Sequence, residues 1–316
     1  MAAISFEMLN HFREMNKIIK QFNLNAQIDF EHHLLVIYNA DKNHVLFPQF
    51  QDKHGNYTCE LTEDSCYFIG WRPYQMKYWD ISTNKELFKF LLEDHQIRTP
   101  KFSTRRSDNL SDVIIKPKTS SFGIGIKGPI KSSRDYALSE DIGEYFESYI
   151  AGDIVKLWFW NHTAYAAEIK PQPTVTGDGQ STIDQLITLH AKTMNKKVDT
   201  HNYSDFLSYH NRSLETVLKN GETCPIDFRY KSFLPTGINT TDIKIKNNDF
   251  FGNKKQLQKI GFLVQSEAPP EFSTSILYTI DAILDADKNL WILEMNNNPW
   301  VHPYLYEPMI KTLIEN

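Results

Sequence analysis

Hydrophobic residues recur at three- and four-residue intervals over 4–22 (ISFEMLNHFREMNKIIKQF), a spacing that predicts an amphipathic helix with one packed face. The pattern then shortens. HLLVIY and HVLFPQF flank the turn-like NADKN and read as two strands of a hairpin, and CYFIG at 66–70 reads as a buried strand ending at a glycine. Together they predict a small N-terminal α/β unit over residues 1–81. Ser82, Thr83 and Asn84 then offer N-caps to a helix with the apolar stripe Leu87, Phe88, Leu91 and Leu92, which must stop before Pro100. Val113–Lys116 is a β-branched strand entering a polar, glycine-bearing loop, and YFESYI at 145–150 is a second strand. VKLWFW and TAYAAEI lie either side of Asn161-His162, a two-residue turn of the kind hairpins prefer. The last strand pair is ILYTIDAIL and LWILEMN, joined by DADKN. The stretches 195–212 and 238–255 are polar and without period, and read as surface loops or short helices. The class expected is α+β, with boundaries that divide the chain into 1–81, 82–150 and 151–316.

Composition narrows the partners. With 316 residues, 41% of them hydrophobic and 23% charged, the chain can bury a substantial core. No apolar run reaches the roughly 18 residues of a membrane-spanning helix, and the start MAAISFEMLNHF lacks the basic-then-apolar order of a secretory signal. A cytoplasmic protein with no membrane partner is expected. A net charge of −5 gives no general footprint for nucleic acid, so any bound polyanion must be held locally. Cys59, Cys66 and Cys224 are odd in number and without CxxC spacing, which argues against a disulfide framework or a thiolate zinc site.

Two segments carry chemistry. In VIIKPKTSSFGIGI (113–126), Lys116 closes a strand and a loop of small residues with Gly123 and Gly125 follows. Such a loop lets backbone N–H groups turn toward phosphate oxygens while the ammonium neutralises their charge. An exposed lysine at that strand end would contribute charge and little packing. In TIDAILDADKNLWILEMNNNP (279–299), Asp281 lies on one strand, and Glu294 and Asn296, two apart, share a face of the next. The turn folds the strands antiparallel, so Asp281 and Glu294 can face each other. Carboxylates that close repel unless a cation intervenes, and hard oxygen donors suit magnesium, with manganese as an alternative.

The strand-end lysine and glycine loop, the YFESYI strand and the form D-x-x-L-D-x-D-x-x-x-x-x-L-E-x-N resemble, in that order, the ATP-grasp superfamily. The resemblance is to D-alanine:D-alanine ligases and more closely to the ATP-grasp domains of cyanophycin synthetase and bifunctional glutathione synthetase. It runs from about Asn84 to about Pro299, and PTVTGDGQSTIDQLI at 173–187 is a further likeness, structural in kind. It implies an ATP-grasp fold, two α/β subdomains gripping ATP, preceded by the small N-terminal domain. It also implies an ATP-dependent carboxylate–amine ligase acting through an acyl phosphate on small acids and amines such as amino acids or peptides. A homodimer is left open, and a phosphotransferase or a non-catalytic nucleotide-binding module on the same fold are the alternatives.

By the same resemblance Lys116 and Lys89 bind the nucleotide phosphates, with Lys85 the alternative to Lys89 one helical turn away. Ser120, Ser121, Phe122, Gly123 and Gly125 cover the phosphates. Glu147, Ser148, Tyr149 and Ile150 form the linker against the adenine edge, with Glu147 toward its amino group. Asp281, Glu294 and Asn296 hold the metal. Some relatives carry an arginine two residues before the first metal aspartate, where this chain has Thr279, so Lys156 and Arg229 are the candidates for that catalytic role. The loop 120–125 and the hairpin 155–169 are the candidate lids. His302 and Tyr304 read as a tail packed on the domain, and Trp300 is a candidate for the pocket wall.

Overall fold

The computed structural model describes residues 2–40, 42–118, 125–195, 197–229, 240–270 and 275–315, with side chains from Asn10 onward. The chain begins with α1 (Ala2–Gln21), followed by β1 (Asn25–Asp29), β2 (Leu34–Tyr38), β3 (Asn43–Asp52), β4 (Tyr57–Thr58) and β5 (Ser65–Arg72). These strands form one sheet in the order β1-β2-β3-β4, with β5 also on β3. The hairpin expected from HLLVIY and HVLFPQF is present, with Leu35 opposite Leu46. β1 is a weak signal because NAQID alternates through only two apolar residues, Ala26 and Ile28, and it forms a largely exposed edge.

Asn84 caps α2 (Lys85–Asp94), its side chain accepting from Leu87 N–H at 3.0 Å. Next come β6 (Phe102–Ser103), β7 (Ser111–Pro117), β8 (Lys127–Ser132) and β9 (Glu144–Ser148), a four-stranded sheet in the order β6-β9-β7-β8. Beyond it lie β10 (Asp153–Trp160), β11 (Thr163–Lys170) and β12 (Thr174–Thr176), then α3 (Ile183–Thr193), α4 (Ser204–Tyr209), β13 (Thr223–Pro225) and β14 (Thr241–Lys244). The chain closes with α5 (Lys254–Glu267), β15 (Leu277–Leu284), β16 (Leu290–Asn297) and α6 (Tyr306–Glu315).

The five-stranded sheet β14-β11-β10-β15-β16 organises the molecule. Because side chains alternate between faces, Val155, Leu157 and Phe159 of β10 and Tyr278, Ile280 and Ala282 of β15 point one way. They join one core with Phe88 and Leu92 of α2 and with Leu257, Ile260 and Val264 of α5. Trp158, Trp160, Ala166 and Leu277 point the other way and pack with α1, the N-terminal sheet and α6. α5 lies so close to the β10–β11 turn that a Cβ on Gly261 would collide with the His162 carbonyl oxygen. In that turn Asn161 adopts φ 53°, and Trp160 pairs with Thr163, as the two-residue loop requires.

Three sequence readings need revision. The hairpin 155–169 is not a lid, since β10 lies between β11 and β15 with most of its residues buried. α2 packs its apolar stripe into the core of the five-stranded sheet, although its residues precede the four-stranded one. The polar stretch 195–212 holds the short helix α4, as expected, but 238–255 contributes a strand, β14, whose exposed edge residues gave no periodic signal.

The N-terminal unit is tied to the C-terminal helix by His11. Its Nδ1 lies 2.7 Å from the Tyr306 hydroxyl, which also accepts from the Trp71 N–H at 3.1 Å. Burial first, and His302 second, push His11 down to about 4. The unfolded chain therefore takes up this proton near 6.5 while the folded chain refuses it, so stability falls as pH drops from 6.5 toward 4. Urea unfolding should show the wild type losing about 2 kcal/mol between pH 7 and 5 from this residue. His11→Asn, which keeps an acceptor, should show a flatter profile, and identical pH dependence in the two proteins would refute the assignment.

Candidate active site

One cleft of about 830 Å³ runs between the four-stranded sheet and the sheet β14-β11-β10-β15-β16, under the N-terminal unit. At one end it is apolar. Ile114 and Ile126 from the four-stranded sheet face Ile154, Ile283 and Leu293 from the five-stranded one, with Tyr149 and Phe228 alongside. The Tyr149 and Phe228 rings meet edge-on at 5.6 Å. Such a slot suits a flat heterocycle.

The middle of the cleft is ionic, and register explains why. On the cleft-facing side of the sheet, Lys156 of β10 is directly opposite Asp281 of β15, which is directly opposite Glu294 of β16. One row along, Thr279 is opposite Asn296. The two carboxylates therefore converge as the sequence predicted, and the Asn296 amide donates to Asp281 Oδ2 at 3.0 Å. They do not face each other bare. Lys156 Nζ lies 2.5 Å from Asp281 Oδ1, and Lys85 Nζ, from the first turn of α2, lies 3.0 Å from Glu294 Oε2. Burial would raise both carboxyls. For Glu294 the Lys85 and Lys116 ammoniums outweigh it and hold the group below its ordinary range, whereas for Asp281 burial and the facing Glu294 outweigh Lys156 and raise it. Two carboxylates and an amide oxygen on adjacent strands are a donor set that fits a small hard dication.

Beside this row lies a buried triad. Glu147 Oε1 accepts from Lys116 Nζ at 3.2 Å, and Lys89 Nζ lies 2.8 Å from Oε2. All three side chains are almost wholly buried. Lys89 also donates to Thr99 Oγ1 at 2.8 Å and the Ile292 carbonyl at 3.2 Å. Desolvation brings Lys89 down to about 8 despite Glu147. For Lys116 burial acts in the same sense, but Glu147 outweighs it and the group rises; Glu147 itself is lowered by Lys116 and Lys89 against its burial.

This geometry revises three expectations. Lys89 does not line the cleft, whereas Lys85, one turn earlier, does. The Glu147 carboxylate is a counter-ion to two lysines and is not free to read an amino group. Lys116 lines the cleft but is 4% exposed, so it carries packing and pairing as well as charge. Arg229 enters the wall beside Phe228 with its Nε on Asp227 at 2.9 Å and an Nη on the Asn202 carbonyl at 3.0 Å, and Lys156 is the cation set against Asp281. Ser148, Tyr149 and Ile150 line the cleft as expected, although the Ser148 and Tyr149 N–H groups already bond the Lys101 and Asp112 carbonyls at 2.7 Å each. Ser120, Ser121, Phe122 and Gly123 lie outside the described residues. Gly125 is exposed with φ +79°, a conformation that favours glycine.

The far end of the cleft was not legible in the sequence. Tyr57 and Asn56 reach it from a turn of the N-terminal sheet, and Met76 and Tyr78 from the segment after β5. Buried Arg72 anchors that segment, donating to Asn298 Oδ1 at 3.0 Å and to the Gln75 carbonyl at 2.7 Å. Trp300 lines the cleft as well, while His302 is buried against Trp158 and Trp300 in the packed tail. Thr279 also lines the cleft, fully buried, and its hydroxyl has no hydrogen-bond partner among the described residues.

No protein-family model matches the chain. Among curated proteins, it is 25% identical over 252 residues to the glutathione biosynthesis bifunctional protein GshAB of Listeria innocua, and 26% identical over 258 residues to that of Clostridium perfringens. The matches cover 71% and 72% of this chain, which spans only 32% of either relative. Among solved structures, a bifunctional glutathione synthetase from Pasteurella multocida aligns over 96% of this chain and 43% of its own, at 16% identity and a TM-score of 0.44. A D-alanine–D-alanine ligase from Bacillus anthracis aligns over 74% of this chain and 66% of its own, at 11% identity and a TM-score of 0.40. The chain is thus similar, at about a quarter identity, to part of the glutathione biosynthesis bifunctional protein.

Proposed function

We propose that this chain is an ATP-dependent carboxylate–amine ligase, which phosphorylates a carboxylate and passes the acyl group to an amine with release of ADP and phosphate. The observation that carries this reading is the single cleft in which Lys85, Lys116 and Lys156 meet Asp281, Glu294 and Asn296, with an apolar slot at one end. In it residues 82–150 supply the linker, Lys85 and Lys116, and residues 151–316 supply Lys156 and the carboxylates. Adenine lies between Ile114, Ile154 and Leu293, with its edge toward the backbone near Ile150. Lys85 and Lys116 neutralise the phosphates, and Asp281, Glu294 and Asn296 would hold a magnesium ion that supplies further charge compensation to the phosphoryl oxygens.

The acid substrate enters from the Tyr57–Tyr78–Trp300 end, so that its carboxylate oxygen is in line with the γ-phosphate. Positioning and charge neutralisation then carry the transfer, as is usual for a loose phosphoryl transition state. Lys156 steadies the negative charge that develops on the acyl oxygen as the amine attacks, and the aromatic wall keeps water from the acyl phosphate until then. Amino acids and short peptides are the substrate class, and the cytoplasm the compartment.

Phosphate release from ATP tests the reading. It should require both a carboxylate and an amine in a matrix of amino acids and dipeptides. Release with an alcohol or phosphate acceptor alone would favour a phosphotransferase, and binding without release a non-catalytic module. Lys156→Met should lower kcat far more than it raises the KM for ATP; a change confined to KM would place Lys156 outside the chemical step.

A further inference from the structure

Lys85 and Lys156 already pair with the two carboxylates that a dication would use. Asp281 has Oδ1 against Lys156 at 2.5 Å and Oδ2 against the Asn296 amide nitrogen at 3.0 Å, and Glu294 has Oε2 against Lys85 at 3.0 Å. All four charged side chains are between 12% and 24% exposed, so screening by water is partial. A dication brought onto these carboxylates repels ammoniums already 2.5–3.0 Å from them in a partly desolvated site. Binding a dication therefore favours moving the two ammoniums away and turning the Asn296 amide so that its oxygen faces inward. The two charges removed equal the charge the dication brings, so the local balance is kept only if the displaced ammoniums find new anions. Both lysines line the same cleft, and a polyphosphate laid along it provides those anions.

We infer that Lys85 and Lys156 are exchangeable counter-ions that make dication and nucleotide bind this cleft as a coupled pair. Each lysine disfavours the dication on its own and favours it once a polyphosphate has drawn the ammonium away. The coupling is reciprocal: the factor by which nucleotide tightens the dication is the factor by which the dication tightens nucleotide. Lys116 cannot play this part, because its ammonium is held by Glu147 in the buried triad. The inference rests on the nucleotide reading of the cleft and adds to it a role for two lysines that a simple phosphate contact does not imply.

Isothermal titration of the whole chain with Mn²⁺ alone, ADP alone, and Mn²⁺ in saturating ADP separates the two ideas. The wild type should bind Mn²⁺ at least about tenfold more tightly with ADP than without it. Lys85→Met and Lys156→Met should each bind Mn²⁺ alone about tenfold more tightly than wild type, bind ADP alone more weakly, and show a smaller ADP-dependent gain. Lys85→Gln and Lys156→Gln, which keep a hydrogen-bond donor, serve if a methionine variant does not fold. Lys53→Met, a surface pair with Asp64, controls for the change in net charge and should match wild type. Unchanged or weaker Mn²⁺ binding in the Lys85 and Lys156 variants, while the wild type binds Mn²⁺ with ADP, overturns the counter-ion role alone. A wild type that binds neither ADP nor Mn²⁺ in any combination overturns the nucleotide reading on which it stands.

Discussion

Glu147→Ala should cost about 3–5 kcal/mol of unfolding free energy, the usual penalty for removing one partner of a buried ionic cluster. Glu147 is 1% exposed and is the carboxylate between Lys89 and Lys116, themselves buried on separate elements, α2 and β7. Without it two ammoniums would stand close together in a site that desolvation already makes unfavourable for Lys89. Glu147→Gln keeps the shape and a hydrogen-bond acceptor but not the charge, and should lie between the alanine variant and wild type. Denaturant unfolding of the three proteins decides it, and an alanine variant within 1 kcal/mol of wild type, about the net value of an ordinary hydrogen bond, would mean that the triad is not a structural centre. The same geometry changes the expectation for Lys116. Its removal leaves Glu147 with Lys89 alone, so Lys116→Ala should lose stability as well as turnover, and the Lys116→Arg variant is the cleaner probe of phosphate binding.

Asp281→Asn and Glu294→Gln should each lower turnover by about 10²–10³-fold, the size of effect seen when one preorganised electrostatic contact is lost. Both should also lose most of the thermal stabilisation conferred by magnesium and ATP, which for wild type at a hundred times Kd amounts to about 2.7 kcal/mol. Carboxylate repulsion taken alone would leave Glu294→Gln as stable as wild type or more so without ligand. The ion pairs to Lys85 and Lys156 reverse that sign: each amide removes the charge its ammonium pairs with, so Glu294→Gln should melt slightly below wild type in the absence of magnesium. Equal stabilisation of all three proteins by magnesium and ATP would reduce the two carboxylates to an ordinary sheet surface.

What the sequence determined by itself is what a short segment can encode. Asp281, Glu294 and Asn296 were placed together because they lie on one hairpin, where a five-residue turn and a side-chain period of two fix which residues face each other. The bulge after Asp281 moves the register by one residue but leaves the Asp281–Glu294 pair intact. The cap at Asn84, the Asn161-His162 turn and the apolar faces of α2 and β10 were legible for the same reason. Tertiary structure alone decided which of Lys85 and Lys89 lines the cleft, since they are one turn apart on the same helix and local pattern treats them alike. Only the packing of α2 between β16 and the four-stranded sheet aims Lys85 into the cleft and buries Lys89 against Glu147. The charges that pair with Asp281 and Glu294, and the Tyr57, Tyr78 and Thr279 positions in the cleft wall, depend on contacts between segments far apart in the chain. Such contacts are set by how whole sheets pack on one another, and no window of sequence short enough to read by periodicity contains both partners.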